Sequence, residues 1–223
     1  MKTFVCILLC CIFMTNCKAQ DPEFKTYLSN FGESRTPILI DDSQPISDFI
    51  FFQAYDSLLG LKTYKIIPQK FVEKFICADN FCNSNAGYFR YDYGIKVDFN
   101  KAYTTVLVRK FQDEGQPEWS FDLYETLLIT YNRKGEILSR LSLTKDNDRW
   151  KSSLEITKEG ITVKQIKVIE PKIDQYHRDL HCEYWTTTYQ ITNDGIIKTI
   201  TTSPIANGLV IWDKNVEDYK LKQ

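Results

Sequence analysis

The stretch that decides the fold is Asp122-Leu-Tyr-Glu-Thr-Leu-Leu-Ile-Thr-Tyr131, followed by Asn132-Arg-Lys-Gly135 and then by Glu136-Ile-Leu-Ser-Arg-Leu-Ser-Leu143. Its two outer runs are rich in aliphatic, aromatic and β-branched residues, which favour strands. The short polar run between them ends in glycine, the residue that readily adopts the positive φ of a tight hairpin turn. This segment therefore predicts two adjacent antiparallel strands.

Two segments further along the chain have the same design. The first covers 153–169 and turns at Lys158-Glu159-Gly160, and the second covers 182–202 and turns at Asn193-Asp194-Gly195. Another strand is predicted over 103–111, where β-branched and apolar residues predominate. Three successive hairpins predict an antiparallel meander, either an open sheet or a barrel-like one.

Short helices are predicted before the meander. The apolar residues of the first one recur with helical spacing at Phe24, Tyr27, Leu28 and Phe31. A second helix is predicted over 69–77, directly after Pro68, with an apolar inner face. The predicted fold class is α+β and mostly β, with short N-terminal helices followed by an antiparallel β-meander.

The first twenty residues have the order of a secretory signal, with Lys2 before the apolar run Phe4–Met14. A membrane span needs about 20 apolar residues, and this run is too short to be a stable anchor. Two processing sites remain open. Cys17 is placed to be the lipid-modified cysteine of a bacterial lipobox, which we expect. Cleavage after Ala19 is the alternative, and it predicts a secreted or periplasmic protein.

Three features together resemble exported lipoproteins of the Bacteroidota: the signal ending at Cys17, the amphipathic segment Phe24–Phe31, and the Leu-Ile-Thr-Tyr-x-x-x-Gly-x-Ile hairpin at Leu128–Ile137. The resemblance implies a location in the cell envelope and a β-rich domain, and it brings no catalytic residues. The expected organisation is a signal peptide at 1–16, a lipid tether with a short amphipathic segment at 17–35, and a single β-rich domain at 36–223.

The cysteines after the lipobox are Cys77, Cys82 and Cys182. An odd number in an exported protein suggests one disulfide and one remaining thiol. We expect a Cys77–Cys82 disulfide, because only a short polar loop separates the two residues. Pairing of Cys182 with either of them is the alternative.

Both histidines lie in one polar run, His177-Arg-Asp-Leu-His181-Cys182. Together with Cys77 and Cys82 they contain enough nitrogen and sulfur ligands for a tetrahedral zinc site. A nucleophilic Cys182 with a histidine base is a second possibility. Adjacent residues of a strand point to opposite faces, which argues against pairing His181 with Cys182. The simpler interpretation is a polar loop, with no metal and no cofactor.

Tryptophans supply the remaining candidate contacts. Trp119 and Trp150 lie in polar segments and are candidates for stacking on a sugar ring or anchoring a protein interface. The alternative is that they cover the ends of the sheet. Trp185 and Trp212 lie in strand-like runs and are predicted to be core residues.

The overall charge argues against one class of partner. The chain has 28 basic and 29 acidic residues, for a net charge of −1. It therefore lacks the basic excess with which proteins bind nucleic acid backbones. We expect a non-enzymatic, envelope-anchored binding or interaction protein, with the membrane and an unknown protein or glycan as partners. A glycan-binding or glycan-processing accessory is the first alternative, and a small hydrolase or metal site around His177–Cys182 is the second.

Overall fold

A computed structural model describes residues 20–34, 37–40, 66–78, 89–112, 123–146, 150–169, 179–213 and 218–222. Its elements in chain order are helix α1 (Pro22–Leu28), β1 (Gly32–Ser34), β2 (Ile38–Ile40), helix α2 (Gln69–Phe71) continued by the π-helical turn π1 (Val72–Ile76), β3 (Phe89–Val97), β4 (Thr104–Gln112), β5 (Leu123–Tyr131), β6 (Ile137–Asp146), β7 (Trp150–Ile156), β8 (Ile161–Val168), β9 (Leu180–Ile191), β10 (Ile197–Thr202), β11 (Ala206–Asp213) and β12 (Asp218–Leu221).

The described strands form two open sheets. The first has the order β1-β3-β4-β5-β6, and the second has the order β12-β11-β9-β8-β7-β2, with β10 also paired to β9. The pairs are antiparallel except for β1 with β3. The predicted mostly β, antiparallel fold is confirmed, and the three predicted hairpins are β5–β6, β7–β8 and β9–β10. The arrangement is two open sheets rather than one continuous meander.

Both faces of the first sheet are apolar. Along β4, Val106 and Val108 belong to one buried cluster and Leu107 to another. The first cluster contains α1, α2 and π1, and the second contains strands of both sheets. A sheet with two apolar faces must be covered on both sides. The described part of the chain therefore has three layers: helices, first sheet and second sheet.

Helix α1 begins where the local sequence favours a start. Asp21 is its N-cap and accepts a hydrogen bond from the Glu23 amide at 2.8 Å, and Pro22 occupies the first helical position. Phe24 and Tyr27 are completely buried in the helix-side cluster. The predicted amphipathic helix is confirmed, and it is part of the packed core of the domain.

Glycine turns join the hairpins and fix where α1 sits. Gly135 and Gly195 have φ values of +88° and +86°, in the left-handed region that favours glycine. A Cβ atom on Gly135 would lie 2.6 Å from Cγ of Phe24. The β5–β6 turn therefore packs directly against α1, and a side chain at this position would separate them.

The antiparallel strands give the domain two distinct ends. The turns of all three hairpins, at 132–136, 157–160 and 192–196, lie at one end together with α1. The hydroxyl of Thr130 ties two of these turns together by donating to the Gly195 carbonyl at 2.6 Å. We call this the turn end. The opposite end, which contains Gln112, Asp146 and Trp150, is called the loop end.

Candidate functional site

An open groove of about 640 Å³ lies at the turn end, between α1, π1 and the β5–β6 hairpin. Its charged lining residues are Asp21, Lys74, Lys134, Glu136 and Arg140. Phe75, Ile137 and Leu138 add apolar surface. We call this the α1 groove. The groove is open and combines apolar surface with five charged side chains.

Hydrogen bonds from the first sheet hold the helical wall of the groove. The buried hydroxyl of Tyr131 donates to the Phe75 carbonyl at 2.6 Å, and the Tyr27 hydroxyl lies 3.2 Å from that of Tyr131. The Arg140 guanidinium donates to the Ile76 carbonyl. These bonds join π1 to the strands beneath it. The π-helical turn buries Phe75 and leaves Lys74 exposed at the groove.

The acidic residues near the groove are paired with neighbours. The Lys74 ammonium lies 2.8 Å from Asp21 and 2.5 Å from Glu23. The hydrogen bond from Lys74 lowers the pKa of Asp21, and the bond to Asp21 raises the pKa of Lys74. Glu136 accepts a hydrogen bond from the side-chain amide of Asn132 at 2.5 Å.

Unlike the paired charges of Asp21, Lys74 and Glu136, the two cations of the β5–β6 turn have no ion-pair partner among the described residues. Arg133 and Lys134 are exposed, and neither side chain makes an ion pair with a residue that the structure describes. Their turn is itself rigid, because Oδ1 of Asn132 accepts hydrogen bonds from the amides of Lys134 and Glu136 at 2.8 and 3.1 Å. The turn therefore holds one such positive charge, Lys134, at the lining of the α1 groove and a second, Arg133, at the preceding position.

At the loop end, the ring of Trp150 contacts the ring of Trp185. Their ring centroids are 5.7 Å apart with the planes at 88°, an edge-to-face contact. Lys167 lies 5.6 Å from the Trp150 ring and 3.8 Å from the Glu183 carboxylate. Both tryptophans are half-buried. The prediction that Trp185 is a core residue was therefore wrong, because Trp185 pairs with Gln165, two residues beyond Val163, the last buried position on that face of β8. The side chain of Trp212 is outside the described residues.

A buried charge cluster also lies toward the loop end, on the face of β3 and β4 that carries Leu107. The Asp92 side chain is 1% exposed, and one of its oxygens accepts from Nη2 of Arg109 at 3.0 Å. Nε of Arg90 lies 3.3 Å from the other oxygen, without the alignment of a hydrogen bond. This cluster could not be predicted from the sequence, since Asp92 and Arg109 belong to different strands that become neighbours only in the sheet.

The structure separates the candidate nucleophile from its nearest histidine. His181 is exposed and Cys182 is completely buried, because they are neighbours on β9 and point to opposite faces. Among the described residues, no group of three or more His, Cys, Asp or Glu side chains is arranged to hold a metal ion. His177 lies outside the described residues, so the other histidine pairing stays a prediction.

The structure tests part of the predicted disulfide scheme, the state of Cys77 and of Cys182. Cys77 is in a disulfide, and Cys182 is a buried thiol. The partner of Cys77 therefore lies outside the described residues, as do Cys82, Cys17 and Trp119. Pairing of Cys182 with Cys77 does not occur, and the Cys77–Cys82 disulfide stays a prediction.

No protein-family model, curated protein or solved structure matches this chain. In the described part of the chain, no helix combines the length and the apolar character needed to cross a membrane. By fold, the described residues define a mostly β protein of two open sheets with a small helical layer. The described residues include an open, charged groove at the turn end and a tryptophan pair at the loop end.

Proposed function

We propose that this protein is a non-enzymatic binding or interaction protein, anchored in the cell envelope by a lipid on Cys17. The α1 groove is the observation that carries the proposal. Its volume of about 640 Å³ falls within the usual range for ligand pockets, about 300–1,000 Å³. A groove beside the first described helix after Cys17 is suited to holding a partner at the envelope surface.

The groups lining the groove favour binding over catalysis. A general acid or base needs a proton that it can exchange with a substrate. Asp21 and Lys74 are instead paired with each other, and Glu136 is hydrogen-bonded within its own turn. Such a site recognises charge and shape. It offers no residue pair arranged like an activated nucleophile and its base among the side chains that line it.

Membrane fractionation tests the anchor. The Cys17→Ser variant should leave the membrane fraction, because stable attachment requires the acyl chains that this cysteine would carry. Cys11→Ser, within the apolar run of the signal, is the matched control and should fractionate like the wild type. An unchanged distribution of Cys17→Ser, with a mature N-terminus at Gln20, would rule out the lipid anchor.

Glycan binding is the second candidate function, and the Trp150–Trp185 pair favours it. The pair is half-exposed at the loop end, where an aromatic face can stack on a sugar ring. A carbohydrate array should then show binding that Trp150→Ala removes. Trp119→Ala tests the other predicted contact. Retention of all array signals by Trp150→Ala would assign the tryptophan pair to packing.

A further inference from the structure

We propose that the turn end docks on the anionic surface of the membrane that holds the anchor, with Arg133 and Lys134 contacting lipid phosphates. This inference rests on the proposed lipid anchor and names the membrane surface as the partner of the α1 groove. It is carried by three observations: the length of chain between Cys17 and α1, the uncommitted charges of the β5–β6 turn, and the rigid placement of that turn.

The first observation is distance along the chain. Asp21 lines the α1 groove and is four residues after Cys17. Four residues span at most about 14 Å when fully extended. A lipid on Cys17 therefore holds the rim of the groove close to the headgroups. Lys18, next to the anchor, adds another positive charge on this short connection.

The second observation is charge. Lys74 is the partner of Asp21 and Glu23, and these three residues leave a net charge of −1. Glu136 and Arg140 both line the groove, and their formal charges cancel. Arg133 and Lys134 then remain as the excess, with no described carboxylate paired to either. Electrostatic attraction acts over roughly a Debye length, about 8 Å at physiological salt. A connection of at most about 14 Å allows the turn to approach the headgroups that closely.

The third observation is rigidity. Gly135 packs on Phe24, and Asn132 fixes the turn through two backbone amides. Arg133 and Lys134 consequently keep their position relative to α1, the helix that follows the proposed anchor in the sequence. A phosphate group is a strong acceptor for both side chains, because guanidinium and ammonium groups make charge-assisted hydrogen bonds to its oxygens.

Docking in this way also orients the rest of the molecule. Strand β6 has ten residues and runs from the groove to the loop end, roughly 30 Å away at the usual rise of a strand. The Trp150–Trp185 pair then faces away from the membrane. The domain presents its loop end to the surroundings and its turn end to lipid.

Residue-specific amine labelling tests the orientation. The lipidated wild-type protein is reconstituted in vesicles of phosphatidylcholine alone or with about one-third phosphatidylglycerol, and labelling of each lysine is followed by mass spectrometry. Lys134 should be labelled about fivefold more slowly on the anionic vesicles, the factor expected for one basic residue at such a surface. Lys222, at the loop end and similarly exposed, should change less than twofold. High salt should restore the labelling of Lys134.

Matched variants show whether the protection of Lys134 depends on the charge of its own turn. Arg133→Ala should reduce that protection, whereas Lys145→Ala, which removes one positive charge at the loop end, should not. Equal labelling of Lys134 on both vesicles, with the lipid found on Cys17, overturns the docking alone. A peptide without lipid on Cys17 overturns the anchor and the docking together. Protection of Lys134 by inorganic phosphate on phosphatidylcholine vesicles would assign the site to a free anion, and would also overturn the docking.

Discussion

The two ends of the domain differ most clearly along a single strand. On the helix-side face of β5, Tyr131, Ile129 and Leu127 are completely buried beneath the aromatic side chains of α1 and π1. The next residue on that face toward the loop end is Glu125, which is paired with Lys110 at 3.1 Å. The helices cover only the part of the sheet nearest the turn end. Beyond their edge, the same face carries the Lys110–Glu125 ion pair, with the Lys110 ammonium 4.2 Å from the centre of the Phe89 ring.

This difference indicates where the stability of the domain resides. Buried aromatic contacts at the turn end are dry and dense, with ring centroids such as those of Tyr27 and Phe75 separated by 4.9 Å. The Lys110–Glu125 pair is mostly buried, with side chains 17% and 12% exposed, so the cost of removing both charges from water offsets much of their attraction. Buried aromatic packing is therefore concentrated at the turn end, whereas the loop end has a smaller buried cluster in the second sheet that includes Leu180, Cys182 and Val210.

The strongest test of this contrast removes a ring from the turn end. Phe24→Ala should lower the free energy of unfolding by about 3–5 kcal/mol, the usual cost of deleting a buried phenylalanine. Phe111→Ala, a partly buried phenylalanine toward the loop end, is the matched control and should cost clearly less. Urea denaturation of both variants measures the difference. Equal losses would show that the two ends contribute alike.

A smaller effect is expected from the buried charge cluster. Asp92→Ala should destabilise the protein by about 3 kcal/mol, because it removes the carboxylate that lies 3.0 Å from the largely buried guanidinium of Arg109. Replacing both partners, as Asp92→Leu with Arg109→Met, should recover most of that loss. The same denaturation assay measures both variants. A double variant as unstable as Asp92→Ala would show that the loss comes from packing and not from charge.

The smallest expected loss of stability per residue comes from ionisation of the buried tyrosines at alkaline pH. Burial raises the pKa of Tyr91 and of Tyr93 to about 12, and it raises the pKa of Tyr27 and Tyr131 as well. Unfolded tyrosine ionises near pH 10, so the native state binds more protons than the unfolded state above that pH. Stability should be constant with respect to these groups below about pH 10, and should then fall by about 1.4 kcal/mol per pH unit for each tyrosine until the pH reaches its folded pKa.

Unfolding curves measured across this range, with Tyr93→Phe as the comparison, test the linkage. The variant should lose stability less steeply above about pH 10, by the contribution of one tyrosine. All four tyrosines belong to the helix-side cluster, so alkaline unfolding is expected to begin there. Identical slopes for the wild type and the variant would contradict a buried, un-ionised Tyr93.

The sequence allowed the hairpins to be predicted because their information is local. Glycine at 135 and 195 permits the positive φ of each turn, and the strand-forming runs on either side need only pair with each other. The helix at Phe24–Phe31 was predictable for the same reason, since its apolar spacing lies within one short segment. The candidate site was not. Lys134 was assigned to a turn, and nothing local indicated that Asp21 and Lys74 would lie beside it.

What the sequence by itself determined, then, is the strand-rich class, the hairpins joined by glycine turns, and the short amphipathic helix after the signal. Tertiary structure alone decided that the strands divide into two sheets, that β1 pairs in parallel with β3, and that Asp92 meets Arg109. It also assembled the α1 groove from three separate segments. Turn and helix preferences depend on neighbours along the chain. These contacts form only when the helices pack on one apolar face of the first sheet and the second sheet packs on the other.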